Sequence, residues 1–120
     1  MNTIIRSATI IDPKSPFHNK TVDILIADGC ITKIGTTLPN LENYQEIQGD
    51  NLHVSTGWFD SSVSLGEPGF EDRETIENGL QVAAKSGFTG IALQPNSFPV
   101  IDNQSQVHFV KSKSQGAATE

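Results

Sequence analysis

The chain has 120 residues, of which 36% are hydrophobic and 18% charged, and its 8 basic and 14 acidic side chains give a net charge of −6. This is the composition of a folded protein rather than a disordered one. The acidic balance argues against nucleic-acid and membrane partners, because both need a basic face. The longest apolar runs are far below the ~20 residues that span a bilayer, and no signal peptide is visible. We therefore expect a soluble, cytoplasmic protein.

The single cysteine, Cys30, excludes an internal disulfide and a cysteine-rich metal site. It is consistent with a reducing compartment. Because Cys30 stands within an apolar stretch, we expect its thiol to be a small core residue.

Residues 1–56 are predicted to form a β-rich, sandwich-like segment with a small antiparallel sheet. In the run 21–26, Val22, Ile24 and Ile26 fall on one face of a strand, and Asp28-Gly29 separates this run from the run 30–34. Asp-Gly between two such runs is a strong hairpin signal, because a type I′ turn needs positive φ at both central residues. Further strands are predicted at 4–11, 46–48 and 52–54.

From residue 57 the pattern changes to alternating strands and helices. Parallel strands are predicted at 57–63 and 88–94, and helices near 73–86 and 103–115, with Asp72 and Asn103 as N-caps and Gly87 as a stop signal. A closed (β/α)₈ barrel takes ~250 residues. We therefore expect an α/β protein in which 57–120 is the incomplete start of a TIM barrel, and a chain that is truncated.

Four sequence motifs resemble those of the dihydroorotases, members of the cyclic amidohydrolase superfamily. The letters are GWFDSSVSLGEPGFE at 57–71, ETIENG at 74–79, GFT at 87–89, and QPNS at 94–97 followed by PVID. The family pattern for the first of these is P-G-F/W-x-D-x-H-x-H-L-R-E-P-G-F-E. The hairpin at 23–35 is similar to the N-terminal strands of the wider superfamily.

The resemblance implies a zinc-dependent cyclic amidohydrolase of de novo pyrimidine synthesis, which interconverts N-carbamoyl-aspartate and dihydroorotate. In the family the two histidines bind zinc and the arginine binds the substrate carboxylate. In this chain those positions hold Ser62, Ser64 and Gly66. A serine hydroxyl is not among the usual zinc ligands, and glycine has no side chain to pair with a carboxylate. We therefore expect no catalytic residue, metal ligand or cofactor in this chain.

Asn96 alone matches a substrate-binding position of the family, although a turn residue after Pro95 explains it equally well. Asp60 matches the family aspartate, but without the histidines a structural role is the favoured interpretation. Glu67 and Glu71 could form a carboxylate pair, or lie in a solvated loop and at a helix start.

The remaining candidates lack a functional pattern. His18, His53 and His108 are predicted in a loop, a strand and a helix, without paired spacing. Trp58 and Phe59 are interpreted as packing residues.

Three functions remain open at this point. The first is a degenerate dihydroorotase, a pseudoenzyme that serves as an assembly subunit, either with aspartate transcarbamoylase or as a homo-oligomer. The second is an active zinc hydrolase of cyclic amides that takes its ligands from beyond residue 120. The third is a fragment with no function of its own.

Overall fold

The structure, a computed structural model, describes residues 2–40 and 44–119, and the chain divides into two compact units, Met1–Thr56 and Gly57–Glu120. Each unit has its own hydrophobic cluster. The elements in chain order are β1 (Thr3–Ile11), β2 (Thr21–Ala27), β3 (Cys30–Gly35), β4 (Gln45–Ile47), β5 (His53–Ser55), β6 (Trp58–Val63), α1 (Ile76–Lys85), β7 (Phe88–Leu93) and α2 (Gln104–Lys113).

The first unit contains a five-stranded sheet in the order β3-β2-β1-β4, with β5 also paired to β1. The predicted hairpin at Asp28-Gly29 is confirmed, and both residues have positive φ, 51° and 76°. The predicted antiparallel sheet is confirmed for β1, β2 and β3, and it is wrong for β4 and β5, which both pair parallel to β1. These two strands are three residues each, and sequence alone gives little information about the direction in which such short strands pair.

The core of the first unit is built by the alternation along β2. Val22 and Ile24 are buried together with Ile10 of β1, and Ile26 packs against them. The predicted burial of Cys30 is wrong, since its thiol is exposed. Cys30 begins β3, which lies at the end of the sheet order, so the apolar residues around it do not enclose it.

A polar cluster of Arg6, Asp23 and Glu46 ties β1 to its neighbours in the first unit. The Asp23 carboxylate accepts hydrogen bonds from the N–H groups of Ser7 and Leu38 and from Arg6, at 2.9, 3.0 and 2.9 Å. Burial alone raises the pKa of Asp23, but these hydrogen bonds outweigh burial and hold the pKa below its usual range. The hydrogen bond from Arg6 likewise lowers the pKa of Glu46.

The second unit consists of a parallel strand pair and two helices. β6 and β7 pair in parallel, as predicted, and α1 connects them. Leu65, Ile76 and Leu80 form the buried cluster of this unit. Ile76 and Leu80 are four residues apart, so both lie on one face of α1. This strand–helix–strand order agrees with the predicted beginning of a barrel.

The helix caps differ from prediction at one position. α1 is capped by Thr75, whose side chain accepts from the N–H of Asn78, and the prediction of Asp72 is wrong. Residues 71–73 instead form a turn before the helix. Asn103 caps α2 as predicted, and Gly87 follows the end of α1 with a φ of 89°. Within the described residues, none of the helices has the length and apolar character needed to cross a membrane.

Candidate functional site

The candidate site lies where the two parallel strands end. β6 ends at Val63 and β7 at Leu93, and the Gln94 N–H donates to the Val63 carbonyl at 2.8 Å. The loops that follow the two strands therefore begin next to each other. In barrels built from such units, the loops after the strands carry the functional residues.

Two of the residues singled out from the sequence meet at this edge. The Asn96 side chain donates a hydrogen bond from Nδ2 to Oγ of Ser64, at 2.7 Å. Both side chains are exposed. Asp60 does not join them, because its Oδ1 accepts from the Ser62 N–H at 3.0 Å, a local contact that fits the structural role expected for it.

Gly66 occupies a position where the backbone leaves no room for a side chain. A Cβ built on Gly66 would lie 2.0 Å from the Phe70 carbonyl oxygen and 2.8 Å from that of Glu74. The Gly66 N–H donates to the Glu74 carbonyl at 3.1 Å, and its own carbonyl accepts from the Phe70 N–H at 2.9 Å. Glycine here therefore permits a close backbone turn in addition to removing a side chain from the site.

Glu67 is a buried carboxylate that holds the second unit together. It is 6% exposed, accepts from the Ile76 N–H at 2.9 Å, and pairs with Nζ of Lys113 at 3.0 Å. Glu71 is exposed and accepts from the Gly69 N–H at 3.0 Å, which lowers its pKa. The two glutamates thus bind separate partners, and the interpretation of Glu67 as a solvated loop residue is wrong.

The loops after β6 and β7 are locked to each other through their backbones. The Phe98 N–H donates to the Pro68 carbonyl at 2.9 Å. A Cβ on Gly69, whose φ is 98°, would lie 1.9 Å from the Phe98 carbonyl oxygen, so glycine is needed both for this φ and for the close approach. Ser97 is buried and donates from Oγ to the Pro99 carbonyl at 3.0 Å. The loops that carry Ser64 and Asn96 are therefore held to each other by backbone contacts.

The residues at this edge do not fit zinc. Ser62 and Ser64 offer neutral hydroxyls, whereas protein zinc sites use imidazole, thiolate and carboxylate ligands. In the described ranges, histidine, cysteine, aspartate and glutamate side chains form no group of three that could hold a metal.

The three histidines lie in a loop, a strand and a helix, as predicted, and each has a partner close in sequence. His18 Nδ1 accepts from the Asp12 N–H at 3.2 Å, His53 Nδ1 lies 2.7 Å from the Asn51 carbonyl oxygen, and His108 Nε2 lies 3.3 Å from Gln104 Nε2.

The two aromatic residues of β6 are only partly packed within this unit. The Trp58 ring meets the Phe88 ring edge to face at 6.1 Å, yet Trp58 and Phe59 are each 65% exposed.

Solved structures with this arrangement include hydantoinases and a dihydroorotase. An L-hydantoinase (dihydropyrimidinase) from Arthrobacter aurescens matches with a TM-score of 0.78 at 21% identity, over 93% of this chain and 24% of its own. A D-hydantoinase (dihydropyrimidinase) from a Thermus species matches with a TM-score of 0.70 at 26% identity, over 95% of this chain and 25% of its own. A dihydroorotase structure matches with a TM-score of 0.56 at 18% identity, over 78% of this chain and 24% of its own. The fold is thus that of the amidohydrolase TIM-barrel class.

Sequence comparison narrows this class. The family model described as "Dihydro-orotase-like" matches residues 53–119. The chain is 36% identical over 118 residues to a dihydroorotase of Citrifermentans bemidjiense, covering 98% of this chain and 28% of the relative. It is 38% identical over 112 residues to a dihydroorotase of Acetivibrio thermocellus, covering 93% and 26%. The chain belongs to the dihydroorotase-like family, and it spans about a quarter of the length of these relatives.

Sequence reasoning missed the roles of Glu67 and Lys113. Glu67 stands in the EPGFE motif, but its neighbours Pro68 and Gly69 suggested only a loop. The one signal was a carboxylate ahead of a helix start, where the backbone N–H groups of the first turn need acceptors. Lys113 lies 46 residues further along the chain. No local pattern predicts a pairing over such a separation.

Proposed function

We propose that this chain is part of a dihydroorotase-like cyclic amidohydrolase of de novo pyrimidine synthesis that has lost zinc catalysis at its first barrel strand. The observation that carries the proposal is the Ser64–Asn96 hydrogen bond. It places a neutral hydroxyl, already bonded to a carboxamide, where the family has an imidazole. With Ser62 beside it, the strand offers no ligand that matches zinc.

The geometry of Gly66 supports the same proposal. The family arginine that binds the substrate carboxylate is absent, and the backbone around Gly66 leaves no space for its Cβ. A protein with these residues lacks both the zinc-bound water and the carboxylate partner on which the family reaction depends. Each loss removes several kcal/mol of transition-state stabilisation. Together the two losses lower the reaction rate by many decades.

The experiment uses the full-length protein, purified without added metal. We expect far less than one zinc per molecule by elemental analysis, and no useful cyclisation of N-carbamoyl-aspartate with or without added zinc. The variant Ser62→His/Ser64→His restores the two imidazoles without disturbing Gly66. Its zinc content and its cyclisation rate are compared with those of the unmodified protein. Turnover by the unmodified protein with a strict zinc requirement would instead establish the alternative, an active hydrolase with ligands beyond Glu120.

For a non-catalytic protein we propose an assembly role, with aspartate transcarbamoylase or a second copy as the partner. The proposal rests on the family assignment, because non-catalytic amidohydrolase relatives serve as assembly subunits in pyrimidine synthesis. Size-exclusion chromatography with light scattering, with and without purified aspartate transcarbamoylase, tests it. A monomer that leaves the elution of the transcarbamoylase unchanged would contradict both partners.

A further inference from the structure

The turn between β2 and β3 contains an exposed peptide bond whose polar atoms are unpaired. Asp28 and Gly29 are both exposed. Within residues 2–40 and 44–119, the Gly29 N–H has no acceptor, and neither the carbonyl nor the carboxylate of Asp28 accepts a hydrogen bond. A Cβ built on Gly29 would meet nothing within 4 Å. The peptide plane between the two residues can therefore rotate in open space without breaking a hydrogen bond.

Rotation of this peptide plane brings the Gly29 nitrogen to the Asp28 side chain. The φ values of 51° and 76° are those of a type I′ turn. Rotating the central peptide converts it to a type II′ turn, which also closes hairpins and has a ψ of about −120° at its first central residue. At that ψ the Gly29 nitrogen eclipses Cβ of Asp28, because Cβ and the backbone nitrogen of a residue lie a third of a turn apart around the Cα–C bond. The nitrogen then faces the carboxyl carbon in the geometry of a five-membered ring.

We propose that Asp28 is a site of spontaneous modification, at which the Gly29 nitrogen attacks Cγ of Asp28 to form a cyclic imide that water reopens to isoaspartate. The first step forms the N–Cγ bond, and the amide hydrogen leaves with the hydroxyl group of the protonated carboxyl as water. The second step adds water across the bond between the Asp28 carbonyl carbon and the Gly29 nitrogen. The main chain then runs through the side-chain carbon, the α-carboxylate is free, and the mass is unchanged.

The hairpin itself does not oppose the first step. The hydrogen that leaves Gly29 has no acceptor, so ring formation breaks no hydrogen bond of the turn. The imide fixes Asp28 near the ψ of a type II′ turn, and the φ of Asp28 is already positive, as that turn requires. The strands on either side can therefore stay paired while the ring closes.

The sequence has one further residue that can close such a ring onto a glycine, Asn78 before Gly79, and the fold protects it. Here ammonia would leave in place of water. The Gly79 N–H donates to the Thr75 carbonyl at 3.0 Å, within α1. A helical ψ of about −42° keeps the Gly79 nitrogen away from the plane of ring closure. The Asn78 side chain is also held, since its Nδ2 donates to Glu74 at 2.6 Å. Reaction at Asn78 therefore requires opening of the first turn of the helix.

The test is peptide mapping of the full-length protein, aged natively and in guanidinium chloride at the same pH and temperature. Trypsin releases Asp28 in peptide 21–33 and Asn78 in peptide 74–85. Enzymatic methylation of the isoaspartyl carboxylate measures the first product, and the mass change on deamidation measures the second. We expect folding to slow the reaction at Asp28 by less than about tenfold and the reaction at Asn78 by more, because Asn78 reacts only from a locally opened helix.

Two variants make the test specific. Asp28→Asn gives both sites the same chemistry, and in the native protein we expect position 28 to deamidate about tenfold faster than Asn78, or more. Asp28→Gly keeps a turn sequence that suits a type I′ hairpin and has no carboxyl group, so isoaspartate in peptide 21–33 should disappear.

Three results would overturn the proposal. The first is a native reaction at Asp28 that is slower than in denaturant by about tenfold or more. The second is equal native rates at position 28 of Asp28→Asn and at Asn78. The third is isoaspartate in peptide 21–33 that persists in Asp28→Gly.

Discussion

The carboxylate of Glu67 and the ammonium of Lys113 lie 3.0 Å apart across the second unit. Glu67 directly precedes Pro68 in the loop after β6, while Lys113 is the last residue of α2. The same carboxylate accepts from the Ile76 N–H at the start of α1. One buried side chain thus connects the loop that carries the candidate site to both helices.

Replacing Glu67 should destabilise this unit more than replacing an exposed glutamate does. In Glu67→Ala the buried Ile76 N–H loses its acceptor, which costs about 1–3 kcal/mol. The partly exposed Lys113 adds little, because solvent weakens such pairs. Glu67→Gln keeps an acceptor and should cost less. Urea unfolding measures the difference, with Glu71→Gln as the exposed control. Equal free energies of unfolding for Glu67→Ala and the control would contradict the connecting role of Glu67.

Gly66→Ala should be strongly destabilising, although alanine is a small addition. Its Cβ would meet the Phe70 carbonyl oxygen at 2.0 Å, and that atom belongs to the backbone, so the turn itself must move. We expect a loss of about 3 kcal/mol, the upper part of the range for overpacking. Gly49→Ala is the matched control, since its Cβ would meet nothing within 4 Å.

An unfolding free energy for Gly66→Ala that equals that of Gly49→Ala would show that the turn adapts. In that case restoring the family arginine at 66 becomes a practical experiment. If the turn does not adapt, Gly66→Arg disrupts the loop, and the arginine cannot bind a carboxylate there. In that case only the two histidines can be restored.

The polar cluster of the first unit predicts how its stability depends on pH. The pKa of Asp23 is held below its ordinary value of 3.8, so the ionised carboxylate stabilises the folded state. This contribution is fully present above the unfolded pKa and is lost as pH falls through the folded one. Asp23→Asn should therefore destabilise the protein at about pH 7. It should also reduce the stability that is lost on acidification from about pH 5 to about pH 2.

Thermal or urea unfolding at several pH values measures this dependence. Asp50→Asn is the control, because Asp50 is an exposed carboxylate. The other carboxylates contribute to acid unfolding in both variants. A pH dependence that is the same in Asp23→Asn and in the control would contradict the stabilising role of the Asp23 carboxylate.

Local patterns predicted the elements of this fold well, because their causes are local. The Asp28-Gly29 hairpin depends on two adjacent residues that tolerate positive φ, and the α1 face depends on a four-residue spacing. The sequence pattern predicts the N-cap at Asp72, whereas the helix is capped by Thr75, because a turn at residues 71–73 precedes it. The prediction for Cys30 failed for a different reason, because burial depends on where a strand lies in its sheet.

The sequence by itself determined the strand and helix order, the family resemblance, and the replacement of two imidazoles and an arginine by Ser62, Ser64 and Gly66. Those properties are carried by residue identity and short spacings. The tertiary structure alone decided that Ser64 bonds to Asn96, 32 residues away, that Gly66 has no room for a side chain, and that Glu67 is buried. Each of these depends on how loops from different strands pack, which no local pattern encodes.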